Sequence, residues 1–460
     1  MMNDQGENRS YKALNLTGGI VITNNKSTGD IQNNFFGELD YLYIGGGVFL
    51  IFLLFGYYDF RMHAGELYNE GQAAYAALPR GTDFKAVYDW GAALLGGGLG
   101  GYLKATSGAY PPLITILYLP LNLLPVNAAH HLFVFLLMLC GAATVYISMA
   151  IQRHALTALN RISLSLLIFT ILFFTYPFNF SFERGNNDII AAVFAAGALL
   201  AMARGKKWPA ILLLTLSSQK VYPAILCIFL LARFGWGSFA SFVFLNVCCL
   251  FILGPNVFLN FVQGAGQNST IVFSWIGNHS FHSYVYNLYK VLGLFSKSVA
   301  IKILALTYFL SATAFIALSF KYIKSFPWRM NNKEFLPLSF GPREIGLIGV
   351  SFCLMGLVPP TSHDYRLVIH IVPYIILLNT RKGELFENEI ESRFFIAIVS
   401  VFSASLFIPR YTVMTLPFSL NVPPIIEMKT PALFFLFLSY AYLAIRGYES
   451  NCKVSPAALR

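Results

Sequence analysis

Ten stretches of this chain are long, apolar and nearly free of charge: 41–58, 127–151, 161–178, 187–203, 237–254, 298–320, 344–360, 366–379, 394–409 and 431–446. An α-helix needs about 20 apolar residues to cross a bilayer. Runs of this length, repeated from one end to the other, predict an all-α polytopic membrane protein. Composition removes the soluble alternative. Only 12% of residues are charged, against roughly a quarter in soluble domains, so there is too little charged surface to cover a globule.

Two more runs need separate treatment. The run 111–124, PPLITILYLPLNLL, is short and opens on Pro-Pro, and a piece of that length dips into a membrane more readily than it crosses. The run 208–234 is long enough, but Lys220 sits in its middle and is followed by Tyr222 and Pro223. A lysine at the bilayer centre costs about 2.5–3.5 kcal/mol on insertion scales. Two half-helices, 208–218 and 221–233, remove that cost if they meet near Lys220 and put its ammonium in a polar cavity, where broken backbone is tolerated. In all, about 11–13 membrane helices are expected, counting half-helices. They form one integral domain, 41–447, between a polar tail, 1–40, and a second tail, 448–460.

The formal net charge of +11 does not indicate a nucleic-acid partner. The basic residues are not gathered into a patch; they sit in short loops between apolar runs, as cytoplasmic loops do. Arg204, Lys206 and Lys207 make one such loop, Arg233 another, and Lys321, Lys324, Arg329, Lys333 and Arg343 the largest. Arg381, Lys382 and Arg393 make a fourth, and Arg446, Lys453 and Arg460 put the C-terminal tail on the same side. The first 40 residues, rich in Asn, Gly and Thr, lack the basic and apolar regions of a cleaved signal peptide and read as a cytoplasmic tail. The opposite face then receives 59–110, 179–188, the tip at Lys220, 255–297, 361–366 and 410–430. The number of crossings between 59–110 and 179–188 comes out even only if 111–124 does not span. Five of the six cysteines, Cys140, Cys227, Cys248, Cys249 and Cys353, lie inside apolar segments without metal or disulfide spacing.

That orientation, drawn from basic loops alone, gathers the unusual polar residues on the non-cytoplasmic side. They are Asp83 and Tyr88; Glu183, Arg184, Asn186, Asn187 and Asp188; Gln219 and Lys220; Asn278 and His279; and His363, Asp364 and Arg366. Ionisable groups at membrane depth usually pair or serve a cavity, so a single pocket is expected. Each also has an ordinary reading. Asp83 precedes FKAVYDWGAALL as a helix N-cap would. Lys220 can snorkel, Arg184 with Asp188 has the spacing of an i,i+4 helix pair, and His363 suits an interface. Nothing ordinary requires all of them on one face.

Several segments carry a resemblance. In order across residues 82–380, TDFKAVYDWGAALLGG, GYL, SGAYPPLITILYLPLNLLP, ERGNNDIIAAVFAAGALLAMARGKK, SSQKVYPAILCIFLLARF, GNHSF and PPTSHDYRLVIHIVPYIILL resemble the pattern of glycosyltransferase family 87. That family is a branch of the GT-C membrane transferases and includes polyprenyl-phosphate-mannose-dependent mannosyltransferases. Asn186 and His279 stand where the family usually has Gln, and His363-Asp364 replaces a Trp followed by an acid and a His. The resemblance implies a GT-C type bundle with a non-cytoplasmic amphipathic helix after the first span. It implies inverting transfer of mannose or a related sugar from a polyprenyl-phosphate carrier to a hydroxyl of a glycan or glycolipid acceptor. The setting it implies is the cell envelope, with the site on the outer side of a bacterial inner membrane. The family's general base, an Asp after the first span, maps onto Asp83.

The residue types suit that chemistry. An alcohol is a poor nucleophile until a carboxylate takes its proton, which needs one positioned base. The leaving phosphate needs cations rather than a general acid. Lys220 and Arg366 are expected to bind the donor phosphate, with Arg184 and His363 behind them, and Tyr88, Asn187, Asn278, His279 and Asp364 to contact sugar or acceptor. No Asp-x-Asp pair occurs, so neither metal nor other cofactor is expected. Asp59, at the end of the first run, competes with Asp83 but ranks behind it. A flippase or transporter with a polar intramembrane cavity is the alternative; such proteins often carry broken helices in matching positions of two repeats, and only the break near Lys220 is legible here.

Overall fold

The computed structural model describes residues 45–51, 53, 81–108, 110–152, 166–167, 169–270, 278–290, 293–325, 340–360, 362–380, 385–407 and 429–447. Both tails, Asp59 and the segment 408–428 lie outside the described residues. The described chain is helical throughout, with one isolated antiparallel bridge between Asn278 and His363. This is an all-α polytopic membrane protein.

Three of its helices are long and apolar enough to cross a membrane: α3 (Val126–Ile151), α11 (Lys297–Ser325) and α14 (Glu389–Phe407), as judged among the described residues. Two sharply bent pairs raise that number to five. One joins α4 (Tyr176–Arg184) to α5 (Asp188–Ala203) at 118°, the other α8 (Trp236–Leu250) to α9 (Pro255–Thr270) at 99°. Both bends correct expectations. The sequence suggested a single span over 161–178 followed by a loop. Instead the chain turns extended at Thr175, and a new helix opens with Pro177 in its first turn, the position where proline is tolerated. Likewise 255–297, expected as a loop, contains α9 and α10 (Phe281–Lys290), because Gly254 at φ 92° and Pro255 redirect the chain without unwinding it.

Two other expectations hold. The segment 111–124 is α2 (Pro112–Tyr118) followed by a 3-10 turn (Leu119–Leu123), too short to cross. The run 208–234 is broken: α6 (Lys207–Ser217), a 3-10 turn (Ser218–Lys220), a second (Tyr222–Leu226), then α7 (Cys227–Phe234). A second interruption lies where a continuous helix over 366–379 was expected. There a 3-10 helix (Asp364–His370) precedes the eight-residue α13 (Ile371–Leu378).

Small side chains draw the helices together. The Ala-rich α5 buries Ala191, Ala192, Ala195, Ala196 and Ala198 as it packs between α3 and α6. Gly346 of α12 (Pro342–Leu357) faces α15 (Lys429–Arg446) so closely that a side chain there would meet the Ala444 backbone. At the C-terminal end of α5, about 20 Å from its start at 1.5 Å per residue, Arg233 donates to the Met202 carbonyl at 3.0 Å and to Glu344 at 2.8 Å. Glu344 also accepts from Tyr322 at 2.7 Å and from the Gly341 amide at 2.8 Å. This latch joins α7, α11 and α12 at one end and leaves the other end of α5 to a different set of charges.

Candidate active site

The helix that carries Asp83, α1 (Thr82–Ala105), turns Phe84, Val87, Trp90 and Gly91 inward and leaves Lys85 and Asp89 outside. It is amphipathic in that sense, as expected after the first run. Asp83 is its second residue and not its N-cap; that place is taken by Gly81, at φ 75°. The carboxylate instead reaches across to the turn between α4 and α5. Arg184 Nη2 donates to Oδ1 at 2.7 Å and Asn186 Nδ2 to Oδ2 at 2.9 Å.

Two glycines permit this meeting. The Gly81 amide donates to the Glu183 carbonyl at 2.8 Å, stitching the start of α1 to the end of α4. Gly185, at φ 64°, ends α4 in the left-handed conformation favoured by glycine. A Cβ on Gly81 would lie 2.8 Å from His130 Nε2, and one on Gly185 2.6 Å from Phe84 Cβ. The same turn undoes the i,i+4 reading of Arg184 with Asp188. Asp188 belongs to the next helix, and Arg184 pairs with Asp83.

Lys220 arrives from the broken segment. Immediately after it, Val221 takes φ 66° and ψ −57°, which turns the chain sharply between the two 3-10 pieces. The ammonium lies 3.1 Å from Asn186 Oδ1 and 3.4 Å from Asp188 Oδ1, with the Tyr110 ring centroid 4.7 Å away. Asp188 is wholly buried and accepts a hydrogen bond from the Tyr222 hydroxyl on the same oxygen, while its Oδ2 has no hydrogen-bond partner among the described residues. Over the other end of this assembly, the Arg366 guanidinium carbon stands 4.7 Å from the Tyr222 ring centroid. The charges of Asp188, Arg366 and Asp83 all act on Lys220.

Three cations, Arg184, Lys220 and Arg366, thus meet two carboxylates, Asp83 and Asp188. Tyr110, between α1 and α2, feels the same set. Burial, then the carboxylates of Asp83 and Asp188, push its hydroxyl well above the usual phenol range, against Arg366 and Arg184. Beyond Tyr222 opens an apolar cavity of about 670 Å³, lined also by Ile225, His282, Tyr308, Phe315, Leu354 and Pro360. Tyr222 is common to both regions.

The remaining residues expected here sit elsewhere or have their polar atoms engaged. The Tyr88 hydroxyl donates to the Leu124 carbonyl at 2.8 Å, tying α1 to the turn after α2. Asn278 donates to the Pro360 carbonyl at 3.0 Å and accepts from the Ser280 and Ser362 amides at 3.2 and 2.8 Å, so its amide fastens one backbone segment to another. His279 is fully buried beside it, its backbone amide donating to Ser362. His363 completes the bridge with Asn278, and its carbonyl accepts from the Arg366 amide at 2.9 Å. Asn187 is the N-cap residue of α5 and its side chain makes no capping bond. Asp364 opens the 3-10 helix that delivers Arg366, and its side chain lies outside the described residues.

Sequence reasoning placed Asn186 and Asp188 on the polar face without a role in the chemistry and gave none to Tyr110 or Tyr222. Asn186 and Asp188 flank Asn187, and Tyr222 follows Lys220 by two residues. Both interrupted segments serve this one cluster, the first through Lys220 and Tyr222 and the second through Arg366. Among the described residues, no three His, Cys, Asp or Glu side chains come together as a metal site needs.

Residues 109–326 match the model of glycosyltransferase family 87. The matched segment carries Tyr110, Arg184, Asn186, Asp188, Lys220 and Tyr222; Asp83 precedes it and Arg366 follows it. No curated protein matches the chain. With its apolar spans and this match, the chain is an integral membrane glycosyltransferase of the GT-C type, resembling glycosyltransferase family 87.

Proposed function

We propose that this glycosyltransferase moves a sugar, mannose or a related one, from a polyprenyl-phosphate carrier to an acceptor hydroxyl at the non-cytoplasmic face, with inversion. Asp83 takes the proton of the acceptor alcohol. The alcohol oxygen attacks the anomeric carbon from the side opposite the phosphate. The bond from that carbon to the phosphate oxygen breaks, and its electron pair stays on the polyprenyl phosphate. Lys220 and Arg366, joined by Arg184, balance the charge that grows there, which is where preorganised cations accelerate a reaction most. His363 stands next to the segment bearing Arg366 and supports its position. Asn187, Asn278, His279 and Asp364 shape the surroundings of the sugar and acceptor, and Tyr88 holds α1.

The observation that carries this reading is the junction at Tyr222. On one side lies a cluster that gathers three cations, Arg184, Lys220 and Arg366, charges that suit the phosphate of a phosphodiester. On the other lies an apolar cavity of about 670 Å³. A carrier lipid with a charged head and a hydrocarbon chain has that polarity. The first isoprene units fill the cavity, and the unpartnered Oδ2 of Asp188 accepts from a sugar hydroxyl.

The test uses membranes containing the full chain and a radiolabelled polyprenyl-phosphate sugar. Asp83→Asn should abolish transfer at unchanged expression, and Lys220→Ala should chiefly weaken use of the donor. Full activity in Asp83→Asn would remove Asp83 as the base. Lipid movement across the membrane without any glycosylated product would replace the transferase by a flippase.

A further inference from the structure

Asp83 has both oxygens engaged before any substrate arrives. Arg184 holds Oδ1 at 2.7 Å and Asn186 holds Oδ2 at 2.9 Å. Each oxygen keeps a second lone pair for the proton of an alcohol, so these two donors set the direction in which the carboxylate is aimed.

Asn186 is fixed from three directions. Its side chain is buried, and its Oδ1 accepts from Lys220 Nζ at 3.1 Å and from the Asp188 backbone amide at 3.0 Å. Its own amide donates to the Ser181 carbonyl at 3.0 Å. Only one orientation of the side-chain amide fits, because the carboxylate needs a donor and the ammonium and backbone N–H need an acceptor. Arg184 is the last residue of α4, and its side chain is 19% exposed. A phosphate offers that guanidinium two oxygens in the geometry it binds best.

We propose that Asn186 is a positioning residue which locks Asp83 and Lys220 into one frame. This rests on Asp83 as the base and Lys220 as a phosphate ligand. Asn186 holds the base through Oδ2 and the ammonium through its own Oδ1, so that the acceptor's base and the donor's phosphate ligand keep one mutual geometry.

Asn186→Asp separates the two halves of this role. The new carboxylate still offers an oxygen to Lys220 and to the Asp188 amide, but it presents an acceptor, not a donor, to Asp83. In the full chain in membranes, with a polyprenyl-phosphate sugar and its acceptor, kcat should fall about a hundredfold, as a misaimed catalytic group costs. The donor KM should stay within about threefold, because the Lys220 contact is retained. Asn186→Ser, which removes volume without adding charge, is too short for either contact and should lower kcat and raise donor KM together. Rates are expressed per folded protein, counted from its gel-filtration peak. A merely structural Asn186 would change that peak and leave the rate per folded molecule alone. Wild-type kcat in either variant, or an effect confined to donor KM, overturns the coupling. Absence of transfer by the wild-type chain overturns the transferase reading itself, and this inference with it.

Discussion

The hydroxyl of Tyr222 donates to the buried carboxylate of Asp188, although the two belong to helical segments separated by a whole reversal of the chain. That bond holds the Tyr222 ring in place between a polar cluster and an apolar cavity. It also gives the guanidinium of Arg366 a fixed aromatic face to rest on, at 4.7 Å. A cation on an aromatic face contributes about 2 kcal/mol when the pair is desolvated.

Tyr222→Phe should therefore separate the hydroxyl from the ring. Phenylalanine keeps the cavity wall and the seat of Arg366 but leaves Asp188 Oδ1 with Lys220 alone among these contacts. Losing a buried hydrogen bond to a charged group costs about 1.5–3 kcal/mol, and transfer should fall correspondingly. Tyr222→Leu should fall further, since it also removes the face under Arg366. Rates of the two variants in the same membrane assay check the order; equal losses would show that the hydroxyl carries everything.

The Lys220–Asp188 pair should behave as a buried ion pair. Removing one partner leaves an uncompensated charge and destabilises by about 3–5 kcal/mol. Lys220→Met alone should thus lower the melting midpoint of the purified protein sharply. Lys220→Met combined with Asp188→Asn should recover most of it, because the stranded carboxylate is gone while an amide can still accept from Tyr222. The double variant should remain unable to use the donor. Melting curves and transfer rates on the same preparations separate stability from function.

How much of this was legible beforehand follows from where polarity stands out. Lys220 in an apolar run, followed by Tyr-Pro, announces a break because no continuous helix can hold it at low cost, and the break is there. Arg184 and Asp188 mislead, because i,i+4 spacing implies one helix while Gly185 at φ 64° ends it between them. Whether glycine adopts that conformation is decided by what packs around it, here Phe84 and His130, which come from distant parts of the chain. Asn278 shows a second limit. Its side-chain amide fastens the backbone of Pro360 and Ser362. Demand from tertiary backbone groups has no signature in residue spacing.

Gly185 itself supplies a test of the geometry around Asp83. Gly185→Ala puts a Cβ 2.6 Å from Phe84 Cβ and imposes a left-handed conformation on an L side chain, costing about 1–2 kcal/mol for the conformation alone. Phe84 follows Asp83 directly, so any shift that relieves the clash moves the Asp83 carboxylate from Arg184 and Asn186. The variant should lose transfer out of proportion to its loss of stability. Adding Phe84→Ala should restore part of the missing space, though not the backbone preference, and thermal midpoints of the single and double variants distinguish the two causes.

Val221 offers the opposite prediction, a substitution that stabilises. Its φ of 66° and ψ of −57° fall in the strained γ-turn region, which a β-branched residue enters rarely. Strain of this kind costs about 1–3 kcal/mol. Val221 is 59% exposed, so little burial is lost if the side chain goes. Glycine adopts the conformation freely but loses more chain entropy on folding, a penalty of about 0.5–1 kcal/mol. The balance favours Val221→Gly by about 1 kcal/mol on those two magnitudes, and its melting midpoint should rise. Activity should move the other way, because the valine narrows the path by which Lys220 is presented to Asn186 and Asp188. A glycine there lets the ammonium sample positions outside the cluster, raising donor KM while the fold gains stability. A variant that gained both would mean that the turn merely connects two helices and that Lys220 needs no help in finding its partners.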